Sequence, residues 1–130
     1  LELSRQLHQL VQTDVEVYNG LMGAYKIPKH HPDRPHAISI ALQRATEVPL
    51  EITELSCEAA QLLHPLRERA KPTILSDLTV GLTLAIAAAQ AGLVTANTNI
   101  NTQENHNLMD SIRLRIVKAT ESLEELKVLC

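Results

Sequence analysis

Asp14 is the first residue whose type and place could do chemistry. Leu3, Leu7, Leu10, Val17 and Leu21 recur at alternating steps of four and three, and the series is filled at position 14 by an aspartate. A helix gathers that spacing onto one face buried against other elements, so the carboxylate is expected in or beside a core, between Leu10 and Val17. There it loses hydration, and its pKa rises unless a cation or several N–H donors compensate. Such a group can hold a proton near neutral pH and pass it to a substrate. It can equally be a carboxylate hydrogen-bonded to another helix for packing specificity. Asn97, Asn99 and Asn101 leave a similar choice. An amide carries donor and acceptor together and can read the edge of a heterocycle, whereas asparagines also form turns and caps. Ser76-Asp77 is explained by a helix N-cap followed by an acid at the positive end of the helix dipole. His30, His31 and His36 invite a metal reading, but a Pro-rich loop offers no i, i+4 pair and no C-x-x-C, so no metal is expected. His8, His64 and His106 are expected at the surface. The sequence has no phosphate-binding Gly-rich loop, G-x-S-x-G elbow or zinc-protease motif.

Helices must position these groups. The 130 residues are 45% hydrophobic but only 2% aromatic, so the core is built from Leu, Ile, Val and Ala, which favours helix over sheet. That length suits one domain spanning 1–130. The net charge of −3 gives no general attraction to nucleic acid or to an anionic membrane. Cys57 and Cys130 make no disulfide framework, which suits a reducing cytoplasm. The chain opens at Leu1 without Met and already inside a helical pattern, as expected of an N-terminally truncated segment of a longer protein.

The first helix is predicted over Leu3 to Tyr25, ending before Pro28. The loop KIPKHHPDRPH follows, positive through Lys26, Lys29 and Arg34. One long helix should start near Pro35, kink at Pro49 and carry Ile38, Leu42, Ala45, Ile52, Leu55, Leu62 and Leu66. The polar segment from Glu68 to Leu75 contains Pro72 and should end it. Ser76 should open a third helix, LTVGLTLAIAAAQAGLV, apolar on nearly every side and therefore surrounded by others rather than spanning a membrane. ANTNINT reads as a connection. Asn101 with Glu104 resembles a capping pair for a last helix with the stripe Leu108, Ile112, Ile116, Ala119, Leu123 and Leu126. The fold class is an all-α up-and-down bundle.

Four segments, taken in order, resemble the cyclodeaminase/cyclohydrolase family of folate enzymes, which includes the C-terminal domain of formiminotransferase-cyclodeaminase. They are Asp14 with Tyr18, Met22 and the exit Lys26-Ile27-Pro28-Lys29; Val48-Pro49-Leu50; Ser76-Asp77-Leu78; and Asn97 to Asn101. The resemblance implies an all-helical fold, usually homodimeric, acting on one-carbon units carried by tetrahydrofolate. It implies closure of formiminotetrahydrofolate to methenyltetrahydrofolate with loss of ammonia, or hydrolysis of the methenyl bridge, with the folate as substrate and no cofactor. Asp14 becomes the catalytic proton shuttle. Lys26 and Lys29 face the folate's carboxylates, Asn97 and Asn101 hold the pterin or its linker, and Ser76 with Asp77 edges the site. The chain departs from the pattern in three ways: no Gly-rich segment precedes Leu1, a carboxylate often found two residues before the aspartate is Gln12, and the loop after Lys29 is shorter than usual. The rival reading is a non-catalytic helical dimerisation or scaffold module that keeps the packing and has lost the site.

Overall fold

Ala and Leu repeat at helical spacing along most of this chain, and every proline but Pro49 falls between or at the starts of those runs. The computed structural model describes residues 1–102 and 109–130. Within them lie four α-helices: α1 (Glu2–Lys26), α2 (Arg34–Leu63), α3 (Pro72–Asn101) and α4 (Asp110–Leu129). A short 3-10 helix, His64–Arg69, joins α2 to the turn before α3. The described residues form no strand, and the all-α expectation holds.

α1 ends where Ile27 turns to an extended conformation ahead of Pro28. Carbonyls at a helix end lack partners inside the helix, and a side chain from α2 supplies donors. Arg34 donates through Nε to the Ile27 carbonyl at 2.9 Å and through Nη2, more weakly, to that of Tyr25 at 3.4 Å. α2 begins with Pro35 in its first turn and runs as one helix past Pro49 for 30 residues. Its stripe stops earlier than expected: Leu66 sits exposed in the 3-10 helix, because Pro65 starts that tighter turn after Leu63.

Three helix boundaries differ from those predicted. α3 starts at Pro72, so Ser76 is an exposed residue of its second turn rather than the N-cap, which is Lys71. A proline lacks the N–H that the first turn leaves unused, and Pro72 opens the helix it was expected to precede. Asn97, Asn99 and Asn101 are helical, with Asn101 the last residue of α3. Asn101 therefore does not cap α4, whose N-cap is Met109. Glu104, the other half of that pair, lies outside the described residues, as do His106 and Leu108.

α2 is the central element, packed on α1, α3 and α4, while α1 rests chiefly on α2. One apolar cluster joins Leu50 to Ala96, Ile100, Met109, Ile112, Ile116 and Ala119. A second joins Cys57 and Ala60 to Leu82, Ala89, Leu123 and Leu126. A smaller one, Leu21 with Leu42 and Ala45, seats α1. α2 and α3 run antiparallel, since Ala45 meets Asn99 and Thr53 meets Ala89. Their backbones come close at Gly92, where a Cβ would stand 2.5 Å from both the Pro49 carbonyl and the Thr53 hydroxyl. On the far side Arg115 of α4 makes a two-pronged bond to Glu54 of α2, at 2.8 and 2.7 Å, and this pairing raises the guanidinium's pKa further.

α3 is not surrounded as predicted. By length and composition it is apolar enough to cross a membrane, yet only 22% of its most apolar window is buried in this chain. Leu82, Ala89, Gly92, Ala96 and Ile100 face the core. Asp77, Val80, Leu84, Ala87, Ala91, Val94 and Thr98 are exposed, again at steps of three and four.

Candidate functional site

The cavity of interest opens where α1, α2 and α3 meet. It holds about 540 Å³, a size that accommodates a small organic ligand. From α1 it takes Asp14, Val15, Val17, Tyr18, Leu21 and Met22; from α2, Ala45 and Pro49; from α3, Thr95 and Asn99. Its walls are mostly apolar, and no Lys, Arg or His is among these residues.

Asp14 stands beside the core rather than in it. Leu21 and Ala45 belong both to the cavity wall and to the buried cluster under α1, but Asp14 itself is exposed, so its carboxylate keeps contact with water. The apolar stripe on α1 buries Leu10, Leu21 and Ala24. Between them Leu7 and Val17 are half-covered, because α2 is the one helix that α1 meets extensively. Tyr18, one turn on from Asp14, is 60% exposed and flanks the opening.

The opposite wall is organised by a missing hydrogen bond. In a helix the carbonyl of residue 45 accepts the N–H of residue 49, and here residue 49 is a proline without one. The Ala45 carbonyl is satisfied from α3 instead, by Asn99 Nδ2 at 2.8 Å. Pro49, read in the sequence as a helix kink and as part of the segment Val48-Pro49-Leu50, thus selects the asparagine that enters the site.

The other expected site residues do not join this cavity. Asn97 and Asn101 sit two residues either side of Asn99, about 200° around the helix, and so lie on another face of α3. The sequence reading placed them in a loop, where no such periodicity applies. Ser76 and Asp77 are exposed near the start of α3, 22 to 23 residues and about 33–35 Å along the axis from Asn99. Lys26 ends α1, about 18 Å along it from Asp14. Lys29 is exposed in the following turn. Neither lysine lines the cavity. Asn99, Thr95 and Met22 are the wall residues that the sequence reading did not assign. Ala45 four residues before Pro49 was the available signal, since it predicts one carbonyl in need of a donor.

Comparison with known proteins agrees with the pattern of segments. A family model described as formiminotransferase-cyclodeaminase matches residues 1–118. Methenyltetrahydrofolate cyclohydrolase of Methylorubrum extorquens is 33% identical over 102 residues, which cover 75% of this chain and 47% of that protein. Formimidoyltransferase-cyclodeaminase of Rattus norvegicus is 32% identical over 101 residues, 75% of this chain and 18% of that protein. The chain thus spans about half of the first relative and under a fifth of the second.

Proposed function

This chain belongs to the formiminotransferase-cyclodeaminase family, and from that premise we propose that it serves a folate one-carbon enzyme which closes formiminotetrahydrofolate or opens methenyltetrahydrofolate. The observation that carries the reading is Asp14, the one carboxylate among the described residues at the edge of an apolar cavity of ligand size. Both reactions are proton transfers around one carbon. In the closure, one folate nitrogen attacks the formimino carbon and sheds its proton, and the departing nitrogen leaves as ammonia after gaining one. In the opening, water attacks the cationic methenyl carbon and loses a proton, the ring nitrogen that is released takes one up, and the second proton of the added water goes to solvent as the formyl carbonyl forms. Asp14 accepts the first proton and returns it to the leaving nitrogen in either case. General acid–base assistance of this kind is worth about 10²–10⁴-fold in rate.

The anionic end of the folate has no counter-charge among the described residues that line the cavity, so it extends toward Lys26 and Lys29. The protein acts as a homodimer in this reading. Support comes from the exposed seam of α3, which is close to palindromic: Val80 and Leu84 on one side of Ala87 mirror Ala91 and Val94 on the other. Two copies crossing antiparallel at Ala87 would set Leu84 against a small residue, which lets the backbones approach. The same crossing brings Ser76 and Asp77 of the partner subunit alongside the Asn99 end of α3, reuniting residues that one chain keeps apart.

Ultraviolet absorbance of the two folates with the full-length protein tests the assignment. Turnover of one of them, lowered about 10²–10⁴-fold by Asp14→Asn with folate binding retained, is the expected outcome. No turnover and no binding by the intact protein would leave the scaffold module as the better account.

A further inference from the structure

We infer that the α3 wall of the cavity is an acceptor-only surface, read through Asn99 and set by Pro49, that selects a ligand ring by its N–H donors. The inference rests on the cavity being the folate site.

The polarity of the wall follows from where its hydrogens are already committed. A carbonyl can only accept, so the bond to Ala45 fixes which way round the Asn99 amide lies: Nδ2 toward α2 and Oδ1 away from it. No hydrogen bond to Oδ1 from the described residues accompanies it. One turn earlier, the Thr95 hydroxyl gives its only proton to the Ala91 carbonyl of its own helix at 3.2 Å. What remains toward the cavity is a lone pair. Asp14 across the opening, when ionised, also only accepts. The three polar groups other than the Tyr18 hydroxyl therefore ask for donors, and among the described residues no cationic side chain lines the space to hold an anion.

A ligand portion that satisfies such a wall is flat enough to lie on Met22, Tyr18 and Pro49 and carries amino and ring N–H groups on its edge. An aminopyrimidinone has that chemistry. A free asparagine would accept either a donor or an acceptor by turning its amide over, so selectivity depends on the amide being held. Pro49 provides this by leaving the Ala45 carbonyl in permanent need of Asn99.

Two measurements on the intact protein test the inference. The first compares KM for methenyltetrahydrofolate with that for its 2-desamino analogue, which lacks one donor. The wild type should favour the parent by about tenfold, the worth of one good hydrogen bond. Asn99→Leu should narrow that preference, with kcat on the parent changed less than KM, whereas Asn99→Asp, which keeps an acceptor toward the ring, should retain it. Pro49→Ala, which returns an N–H to the Ala45 carbonyl and frees the amide, should narrow it in part. An unchanged preference in folded Asn99→Leu overturns the assignment of Asn99. Absence of folate binding by the wild type overturns the ligand, and with it the reading of the site.

The second measurement needs no folate. Asn99→Leu should lower Tm in the wild type and lower it clearly less in the Pro49→Ala background, where Ala45 has regained its helical partner. Equal losses in both backgrounds would overturn the dependence of Asn99 on Pro49.

Discussion

Cys57 illustrates how far a single side chain can be followed. It is 4% exposed in the cluster shared by α2, α3 and α4, and burial, with a smaller push from Glu54, raises its thiol pKa. A thiol whose pKa is higher in the folded than in the unfolded chain contributes stability that is complete below the unfolded value, about 8.5. That contribution is lost as pH rises through the folded value. The Tm advantage of wild type over Cys57→Ala should therefore shrink as pH is raised past about 8.5, and a thermal melt series on both proteins checks it. At neutral pH, iodoacetamide should label exposed Cys130 and spare Cys57 until the protein unfolds. Asp14 was legible at this scale, since its interruption of an apolar stripe marks it wherever the helix packs. Asn99 was not, because its role depends on a carbonyl 54 residues away in sequence. Asn97 and Asn101 were expected at the site from the family resemblance, with ANTNINT read as a connection; in the structure they are helical and lie on another face of α3 from Asn99.

At the level of elements, the glycines divide by what lies beside them. Gly92 is the close approach of α3 to α2. Gly92→Ala would set a methyl against the Pro49 backbone carbonyl, which cannot yield without moving the helix. The substitution should destabilise by about 1–3 kcal/mol, well beyond the helix propensity it gains. Gly20 and Gly23, in α1, have nothing within 4 Å of the added Cβ. Alanine at either should stabilise by about 0.5–1 kcal/mol. Chemical denaturation of the three variants would separate the two classes. The existence and number of helices could be read from Ala- and Leu-rich periodic runs, and α2 passing Pro49 as one helix was expected. The boundaries of α3 could not, because Pro72 fits a helix end and a helix start alike, and because β-branched and Asn residues, weak helix formers alone, are carried into α3 by Ala96 and Ile100 packing on Leu50.

The whole molecule leaves one surface unfinished. A helix with mean hydropathy 1.7 over its most apolar window shows Val80, Leu84, Ala87, Ala91 and Val94 to solvent in this chain. A second copy is the proposed cover. Sedimentation should give a dimer for the full-length protein and a smaller species for Leu84→Glu, with helical content by circular dichroism unchanged. A monomeric wild type would reject the pairing. Beneath that surface, α2 and α3 are tied at two places by polar bonds, Ala45 with Asn99 and Thr53 with Ala89, ten residues apart on α3 and about 15 Å along it. Leucine and alanine contacts tolerate a slip of one helical turn far better than directional bonds do, since a slip would strand the Ala45 carbonyl, which Pro49 deprives of its helical donor, and would break the bond from Thr53 to Ala89. In mechanical terms the two helices are pinned against shear, whereas α1 is seated by a small cluster and tied to α2 at its C-terminal end, through Arg34. The compliant wall of the cavity is thus the one that carries the carboxylate, and the rigid walls are those that carry Pro49 and Asn99.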